Sequence, residues 1–193
     1  MATTMGGDYI QYPDGSQQKT KKQIVKSRYN SSPTTNVNLA VWGTETTVPD
    51  CQIDMGVPEK SNNWYRVEYY NTTDDWPGNG YGGSGMAIYR NTPSAGWERC
   101  YAQGQHAAYD NDSGDYYTTT MGLWYVPVHP TYPNEPHTFE LRGTRHPGGG
   151  PSGNIRINCT IGADNRIGGW QNNMLSVHEI DGDMVVNTNI TRF

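Results

Sequence analysis

The sequence predicts an all-β fold, an antiparallel β-sandwich or jelly roll preceded by an extended N-terminal arm. Gly and Pro make up 35 of the 193 residues and Leu only four, a composition that disfavours helices. No stretch of a dozen residues keeps a 3.6-residue apolar period without an interrupting cluster of Gly, Pro or Asn. The six Trp and 14 Tyr residues can fill a core in place of the scarce aliphatic side chains, which indicates a folded domain.

Charge separates the chain into two parts. Residues 1–35 hold five of the 14 Lys and Arg residues but only two of the 19 Asp and Glu residues, so their net charge is +3. The net charge of residues 36–193 is −8, and most of the aromatic residues lie there. One domain with an attached arm is the organisation expected for a chain of this length. We therefore predict an arm over residues 1–35 and a head over residues 36–193.

Three short segments make up the predicted arm. Tyr9–Gln18 contains Pro13-Asp14-Gly15, a turn signal that predicts a small hairpin or a docking strand. Lys19–Arg28 is basic, and the polar segment Tyr29–Asn36 is predicted to be a linker. Because no aromatic residues are interleaved with the basic ones, nucleic acid is not an expected partner.

Alternation of apolar and polar residues predicts eight or nine strands in the head, joined by long loops. The predicted strands are Val37–Thr44, Trp64–Tyr70, Gly85–Arg90, Gly96–Ala108, Met121–Val128, His137–Arg145, Asn154–Ile161, Leu175–Ile180 and a short Met184–Val186. Antiparallel strands in such a series are typical of a sandwich or jelly roll. A loop rich in Gly and aromatic residues is predicted over Asn71–Ser84, and a Gly/Pro loop over His146–Gly153.

The same alternation assigns core faces to the strands. In Trp64–Tyr70, the face with Tyr65, Val67 and Tyr69 is predicted to point to the core. Further predicted core residues are Met86, Ile88, Ile155, Ile157, Cys159 and Ile161. In the later strands, Phe139, Leu141 and Gly143 are predicted to share one face, and Leu175 and Val177 are apolar. Pro127 has no backbone N–H, which predicts that its strand is an edge strand or contains a bulge.

The residue types that usually catalyse reactions or bind metals form no recognisable motif. The five histidines show no metal-ligand spacing and are predicted to lie on the surface or in turns. The acidic loop Asp110–Asp115 has its Gly fifth, where a calcium-binding EF-hand has it sixth, so a solvated turn is favoured over a weak calcium site. Gly82–Gly85 does not match a nucleophile elbow. We therefore predict no catalytic residues, no metal and no cofactor.

Cysteine usage and the apolar runs bear on where the protein is found. Cys51, Cys100 and Cys159 have no zinc-site spacing and are predicted to be buried free thiols, with one internal disulfide as the alternative. No apolar segment typical of a signal peptide follows Met1. No apolar run approaches the roughly 20 residues that span a bilayer, so membrane insertion is not expected.

Six aromatic residues next to Gly, Asn, Asp or Pro are candidates for ligand contact. They are Trp76, Tyr81, Tyr116, Tyr117, Tyr132 and Trp170. Flat rings with polar neighbours suit stacking on sugars and recognition of proteins. The alternative is that these rings pack within the head or between subunits.

The C-terminal part of the head carries a recognisable motif. Residues 161–180 read Ile-Gly-Ala-Asp-Asn-Arg-Ile-Gly-Gly-Trp-Gln-Asn-Asn-Met-Leu-Ser-Val-His-Glu-Ile, a polar loop followed by a strand of the form Leu-x-Val-x-Glu-Ile. This segment resembles the closing segment of bacteriophage tail-fibre and head-fibre tips, notably those of marine and cyanobacterial phages. His137–Cys159 is similar to the hairpin that precedes it there, and Tyr9–Gln18 is similar to a Pro-Asp-Gly segment of phage appendage proteins.

The resemblance implies a trimeric jelly-roll head of the C1q/tumour-necrosis-factor type, carried on a virion as a fibre tip, knob or decoration. It also implies that the arm docks on the particle and that loops of the head contact host surface glycans or proteins. The residues assigned to virion docking are Tyr9, Ile10, Tyr12, Lys19, Lys21, Lys22, Lys26 and Arg28. No coiled-coil or β-helical shaft precedes the head, so the appendage would be short, and residues 182–193 extend past the usual end of the family.

The sequence thus predicts a non-enzymatic structural protein of a phage virion, assembled in the host cytoplasm. Its expected partners are two further copies of itself in a homotrimer and other tail or capsid proteins, with tail and capsid location both open. The first alternative is a soluble lectin-like carbohydrate-binding module. The second is a polysaccharide-cleaving enzyme on the same scaffold.

Overall fold

The computed structural model describes residues 4–6, 9–11, 17–19, 24–31, 37–38, 44–76, 80–110, 116–145, 154–157 and 174–182. Its strands in chain order are β1 (Thr4–Gly6), β2 (Tyr9–Gln11), β3 (Gln17–Lys19), β4 (Ile24–Ser31), β5 (Val37–Asn38), β6 (Thr46–Gly56), β7 (Trp64–Trp76), β8 (Gly80–Thr92), β9 (Gly96–Asp110), β10 (Tyr116–Pro127), β11 (His137–Arg145), β12 (Asn154–Ile157) and β13 (Met174–Ile180). In these ranges, no helix has the length and apolar character needed to cross a membrane.

Two antiparallel sheets pack together as a β-sandwich, which confirms the predicted fold class. The first sheet has six strands, in the order β4-β13-β7-β12-β5, with β10 paired to β7 as well. The second sheet has four strands, in the order β6-β11-β8-β9. In the arm, β1, β2 and β3 form a separate three-stranded sheet, and β2 and β3 are the predicted hairpin.

The central strand of the first sheet is β7. Along one edge it pairs with β10 over nearly its full length, from Trp64 to Asp75. Along the other edge it pairs first with β13 and then, from Thr73 onward, with β12. A strand covered on both edges has its backbone hydrogen bonds satisfied, and so β7 can carry core residues along its inner face.

Aromatic side chains dominate the core between the sheets. The Tyr65 ring packs edge-on against Phe139 of the second sheet, with centroids 4.8 Å apart. Tyr69 stacks on Trp124 of β10 at 5.0 Å. Burial raises the pKa of both tyrosines well above its usual range. The predicted use of aromatic rings in place of aliphatic bulk is therefore confirmed for these residues.

Several sequence-based assignments are confirmed in the described residues. The strand His137–Arg145 has the predicted bounds, and the predicted core face of β7 is at most 2% exposed. The predicted core residues Met86 and Ile88 are buried, and so are Phe139 and Leu141, which were predicted to share a face, and the apolar Leu175 and Val177. Among the described strands β10 pairs with β7 alone, so it is the edge strand that Pro127 predicts.

Three assignments of local structure were wrong. The strand β6 was missed because Pro49 and Asp50 interrupt its pattern, although the alternating Cys51, Ile53 and Met55 are buried. Asn71–Ser84 is mostly strand, since pairing with β10 and β9 overrides the local turn preference. The first three residues of the predicted linker Tyr29–Asn36 belong to β4, where they pair with β13.

Some predictions fall partly or wholly outside the described residues. These are most of Val37–Thr44, the loop His146–Gly153, residues 158–161, the segment Met184–Val186 and the third cysteine, Cys159. Cys51 is buried in the core and Cys100 packs against it, partly buried. The division into an arm and a head at residue 35 stays a prediction. The strand β4 precedes residue 35 but belongs to the first sheet of the sandwich.

Replacing Phe139 by Ala should lower the free energy of unfolding by about 3–5 kcal/mol, because Phe139 is fully buried and joins the two sheets. The exposed Val57 is the control, and Val57→Ala should change that free energy by less than about 0.5 kcal/mol. Chemical denaturation of both variants measures the difference. Similar losses in the two variants would contradict this account of the core.

Candidate functional site: the two ends of the sandwich

Strand register defines two opposite ends of the sandwich. Ile24, the first residue of β4, lies opposite Ile180, which lies opposite Trp64 at the start of β7. We call this the arm end, because the residues of the arm that precede β4 lead into it. The opposite end, marked by Trp76 at the end of β7, we call the aromatic end. At about 3.3 Å per residue, the 13-residue strand separates the two ends by about 40 Å.

Four of the six predicted ligand-contact residues lie at the aromatic end. Tyr116 and Tyr117 begin β10 beside the last residues of β7, where Trp76 lies. Tyr81 is the second residue of β8, and only three residues separate the start of β8 from Trp76. These residues occupy strand ends, whereas the sequence indicated loops. Tyr132 lies at the arm end, between β10 and β11, and Trp170 lies outside the described residues.

The residues assigned to virion docking are distributed over the arm and β4. Tyr9 and Ile10 lie in β2, and Lys19 ends β3. Lys26 and Arg28 lie in β4, where Arg28 is exposed and Lys26 is partly buried. Tyr12, Lys21 and Lys22 lie outside the described residues.

Lys26 fastens β4 to the second sheet. Its Nζ donates hydrogen bonds to the backbone carbonyl of Met55 at 2.6 Å and to that of Val57 at 3.2 Å. The same Nζ lies 4.0 Å from Oε2 of the buried Glu179. The side chain that sequence assigned to docking is therefore engaged within the protein.

The carboxylate of Glu179 organises the connection between β6 and β7. It is fully buried, and its Oε1 accepts hydrogen bonds from the Glu59 backbone N–H and from Asn63 Nδ2, both at 2.7 Å. Its Oε2 has no hydrogen-bond partner among the described residues, and the same holds for the buried Tyr65 hydroxyl. The negative charge of Glu179 adds to burial in raising the pKa of Tyr65.

Asn63 extends this network to two further segments. Its carbonyl accepts a hydrogen bond from the Val128 N–H at 3.0 Å, and its Oδ1 accepts one from the Gly182 N–H at 3.1 Å. A Cβ at position 182 would lie 1.8 Å from the Asn62 carbonyl oxygen, so only Gly fits this close approach. Lys60 and Asp181 form an ion pair at 2.8 Å on the rim of the network.

Two buried histidines complete the arm end. His129 lies in a turn, as predicted, whereas His137 begins β11 in the interior, which corrects the prediction of a surface or turn position for it. His137 is fully buried; its Nε2 accepts a hydrogen bond from the His129 N–H at 3.0 Å, and its Nδ1 donates to the Glu135 carbonyl at 2.8 Å. These partners require the neutral ring. Burial lowers the pKa of His137, and the charge of Arg90 lowers it further, against the effect of the hydrogen bond to Glu135.

His129 holds the turn that follows β10. Its Nδ1 accepts hydrogen bonds from the backbone N–H groups of Thr131 and Tyr132, each at 3.1 Å. Its Nε2 lies 3.0 Å from Oε2 of Glu98, to which Arg90 also donates at 3.2 Å. Sequence reasoning missed this role because turn-capping histidines have no spacing motif, and only the adjacent Pro130 hinted at a turn.

The chemistry of the arm end is structural hydrogen bonding. Its carboxylate, amide and imidazole groups fix backbone groups of three chain segments, and burial keeps these bonds from competing with water. Among the described residues, no group of three or more His, Cys, Asp or Glu side chains could hold a metal ion. The site as described therefore immobilises the end of the sandwich at which β4 begins.

Replacing Lys26 by Met should lower the free energy of unfolding by about 1–3 kcal/mol, since two carbonyls and the buried Glu179 lose their charged neighbour. Arg28→Met is the matched control, because it removes the same charge from an exposed site on the same strand. We expect it to change the free energy by less than about 0.5 kcal/mol. Equal losses in thermal or chemical unfolding would refute the fastening role of Lys26.

Stability should fall on acidification from about pH 7.5 to about pH 5.5. Because the pKa of His137 is lowered in the folded state, the unfolded chain binds more protons just below about pH 6.5, and this difference favours unfolding. His178, whose pKa burial also lowers, contributes in the same direction. The free energy of unfolding of His137→Gln should therefore depend less steeply on pH in this range.

Tyr132→Phe is the control for this pH dependence, because it alters a ring beside His129 without removing a group that titrates in the range. It should keep the pH slope of the unmodified protein. An unchanged slope in His137→Gln would show that His137 is not kept neutral by the fold.

Comparison with known proteins does not place the chain in a family. No protein-family profile matches it, and no curated protein is similar to it in sequence. A structure of the Gx strain of infectious bursal disease virus aligns with a TM-score of 0.40 and 10% identity, over 97% of this chain and 48% of that chain. A crystal structure of the T13 particle of the same virus aligns with a TM-score of 0.41 and 13% identity, over 92% and 39%. The chain spans less than half the length of either, and likeness at this level carries no argument about function.

Proposed function

We propose that this chain is a structural protein of a virion, in which the arm attaches to the particle and the head is displayed at its surface. The finer form of the proposal is a short bacteriophage appendage, a tail fibre, knob or capsid decoration, with a homotrimeric head. In this proposal the arm comprises residues 1–35, the head comprises residues 36–193, and β4 anchors the one to the other.

One observation carries the proposal: the arm joins the head at the end opposite the aromatic residues. Residues 1–23 lead into β4 at the arm end, whereas Trp76, Tyr81, Tyr116 and Tyr117 lie about 40 Å away along the sheet. A protein that is tethered at one end and makes contacts at the other needs this separation. Attachment through the arm would then leave the aromatic end directed away from the particle.

The polar network at the arm end supports the same role. Lys26 and Glu179 connect β4, β6 and β13 through hydrogen bonds and charge. Asn63 connects the loop before β7 to the turn after β10. A tether can hold the head in a defined place only if the strand that it joins is itself fixed. These contacts fix β4 against both sheets.

In this proposal the docking contacts come from Tyr9, Ile10, Tyr12, Lys19, Lys21, Lys22 and Arg28, with Lys26 holding the arm strand in place. The host-facing contacts come from Trp76, Tyr81, Tyr116 and Tyr117, to which sequence adds Trp170. The aromatic end also favours the second candidate, a soluble lectin-like module. Glycan binding at full affinity with no arm-dependent attachment to particles would favour the lectin.

Deleting residues 1–23 should abolish attachment to particles of the encoding virus while leaving the head folded, because the deletion ends before β4. Co-sedimentation with particles that lack the protein measures attachment, and thermal unfolding checks the fold. Deleting residues 1–35 is the informative comparison: it removes β4 and Lys26 as well, and should lower stability in addition. Attachment that survives the shorter deletion would refute the tether.

A further inference from the structure

Two imidazoles hold the connection between β10 and β11, residues 128–136. The backbone N–H of His129 donates to Nε2 of His137. Nδ1 of His129 in turn accepts hydrogen bonds from the backbone N–H groups of Thr131 and Tyr132. A ring nitrogen accepts a hydrogen bond only when it carries no proton. Three backbone hydrogen bonds of one short connection therefore require both imidazoles to be neutral.

A proton on either ring would also add positive charge beside an existing cation. The buried Arg90 of β8 donates from Nη1 to the Pro127 carbonyl at 2.7 Å and from Nη2 to Oε2 of Glu98 on β9 at 3.2 Å. The same carboxylate oxygen faces Nε2 of His129 at 3.0 Å. Charging both rings would add two positive charges near that of Arg90, and like charges disfavour one another.

The other groups that face the two rings do not offset this cost. Tyr65 of β7 packs on His137 with ring centroids 5.5 Å apart, and Tyr132 packs on His129 at 4.9 Å. A phenol is uncharged near neutral pH and supplies no counter-charge. The carboxylate of Glu135 favours a proton on His137, but this effect is smaller than that of burial, which lowers the pKa of His137.

The connection can open while the sheets stay packed. Its residues Pro130, Thr131, Asn134 and Pro136 are exposed, so the segment buries little apolar surface. Segments of this kind open locally at a lower free-energy cost than global unfolding. The strands on either side are held independently, because β10 pairs with β7 and β11 pairs with both β6 and β8.

We propose that the connection 128–136 is an acid-operated switch, closed at neutral pH and opened by protonation of His129 and His137 while the two sheets stay packed. In the closed state the two rings accept backbone hydrogen bonds. In the open state they bind protons, and Glu98 remains as the partner of His129. Because the open state binds more protons, its population rises as the pH falls through the range in which histidine changes charge.

Opening would act on the network at the arm end. The connection begins at Val128, whose N–H donates to the Asn63 carbonyl at 3.0 Å. Asn63 also donates from Nδ2 to Glu179 at 2.7 Å, and Glu179 faces Lys26 of β4. Release of the connection would therefore remove one of the contacts that fix the start of β4. The switch goes beyond the proposed virion role and does not depend on it.

Amide hydrogen exchange of the full-length protein, corrected for the intrinsic pH dependence of exchange, tests the switch. From about pH 7.5 to about pH 5.5, the protection of residues 129–132 should fall by about tenfold for each ring that must stay neutral. The reason is that an imidazole with the ordinary pKa of about 6.5 is charged about ten times as often as it is neutral at the lower pH. Low concentrations of urea should leave this exchange unchanged but speed that of β11, since local opening exposes little surface.

Three variants assign the effect to the rings. His129→Asn places an amide oxygen where Nδ1 lies, and His137→Gln places one where Nε2 lies, so each keeps an acceptor that does not titrate. Each should keep the protection at about pH 7.5 and remove about tenfold of the fall. His178→Asn is the matched control, because it removes a third imidazole, one that contacts Ser27 Oγ at 2.8 Å on β4, and should keep the whole fall.

Protection of residues 129–132 that does not change with pH would overturn the switch. A fall of the same size in His129→Asn and in the unmodified protein would overturn it too. Exchange of the connection that follows urea as steeply as that of β11 would show global unfolding instead of a local switch. If His137→Gln does not fold, His129→Asn decides alone, because its expected effect does not require the second variant.

Discussion

The buried carboxylate of Glu179 is the interaction on which the rest of the arm end depends. A fully buried charge is costly unless hydrogen bonds and an opposite charge compensate for it. Here the loop before β7 supplies a backbone and an amide donor, and β4 supplies the ammonium charge of Lys26. Because each donor has a fixed place in the fold, the carboxylate specifies how β4, β13 and the loop before β7 are arranged. The aromatic core gives the sandwich its stability, and this network determines where the arm joins it.

Much of the sandwich could be predicted from sequence, and the rest could not for identifiable reasons. Period-two alternation revealed the core faces of β7, β8, β11 and β13, because one face of each strand is apolar. It missed β6, because Pro49 and Asp50 break the pattern there. It also missed the parts of β7 and β8 nearest the aromatic end, where pairing with neighbouring strands outweighs the local preference for turns. The buried roles of His129 and His137 were invisible, since they depend on partners brought together only by folding.

The candidate site, like the fold, could be predicted from sequence only in part. Composition distinguished a basic arm from an acidic, aromatic head, and the structure adds that β4 belongs to the sheet of the head. Sequence treated Lys26 and Arg28 as equivalent charges, but their surroundings differ: one is engaged with carbonyls of the second sheet and the other is exposed.

The pairing of β4 with β13 has a mechanical consequence. A pull on the arm would draw β4 lengthwise along β13, since the arm continues from the end of β4 that lies farthest from the aromatic end. Their seven residue pairs, from Met174 opposite Ser31 to Ile180 opposite Ile24, would then bear the load together instead of opening one after another. Resistance to force is governed by the rate of unfolding, which is lowest when many hydrogen bonds must break at once. In the proposed virion role, this geometry would let the arm strand withstand shear at a surface.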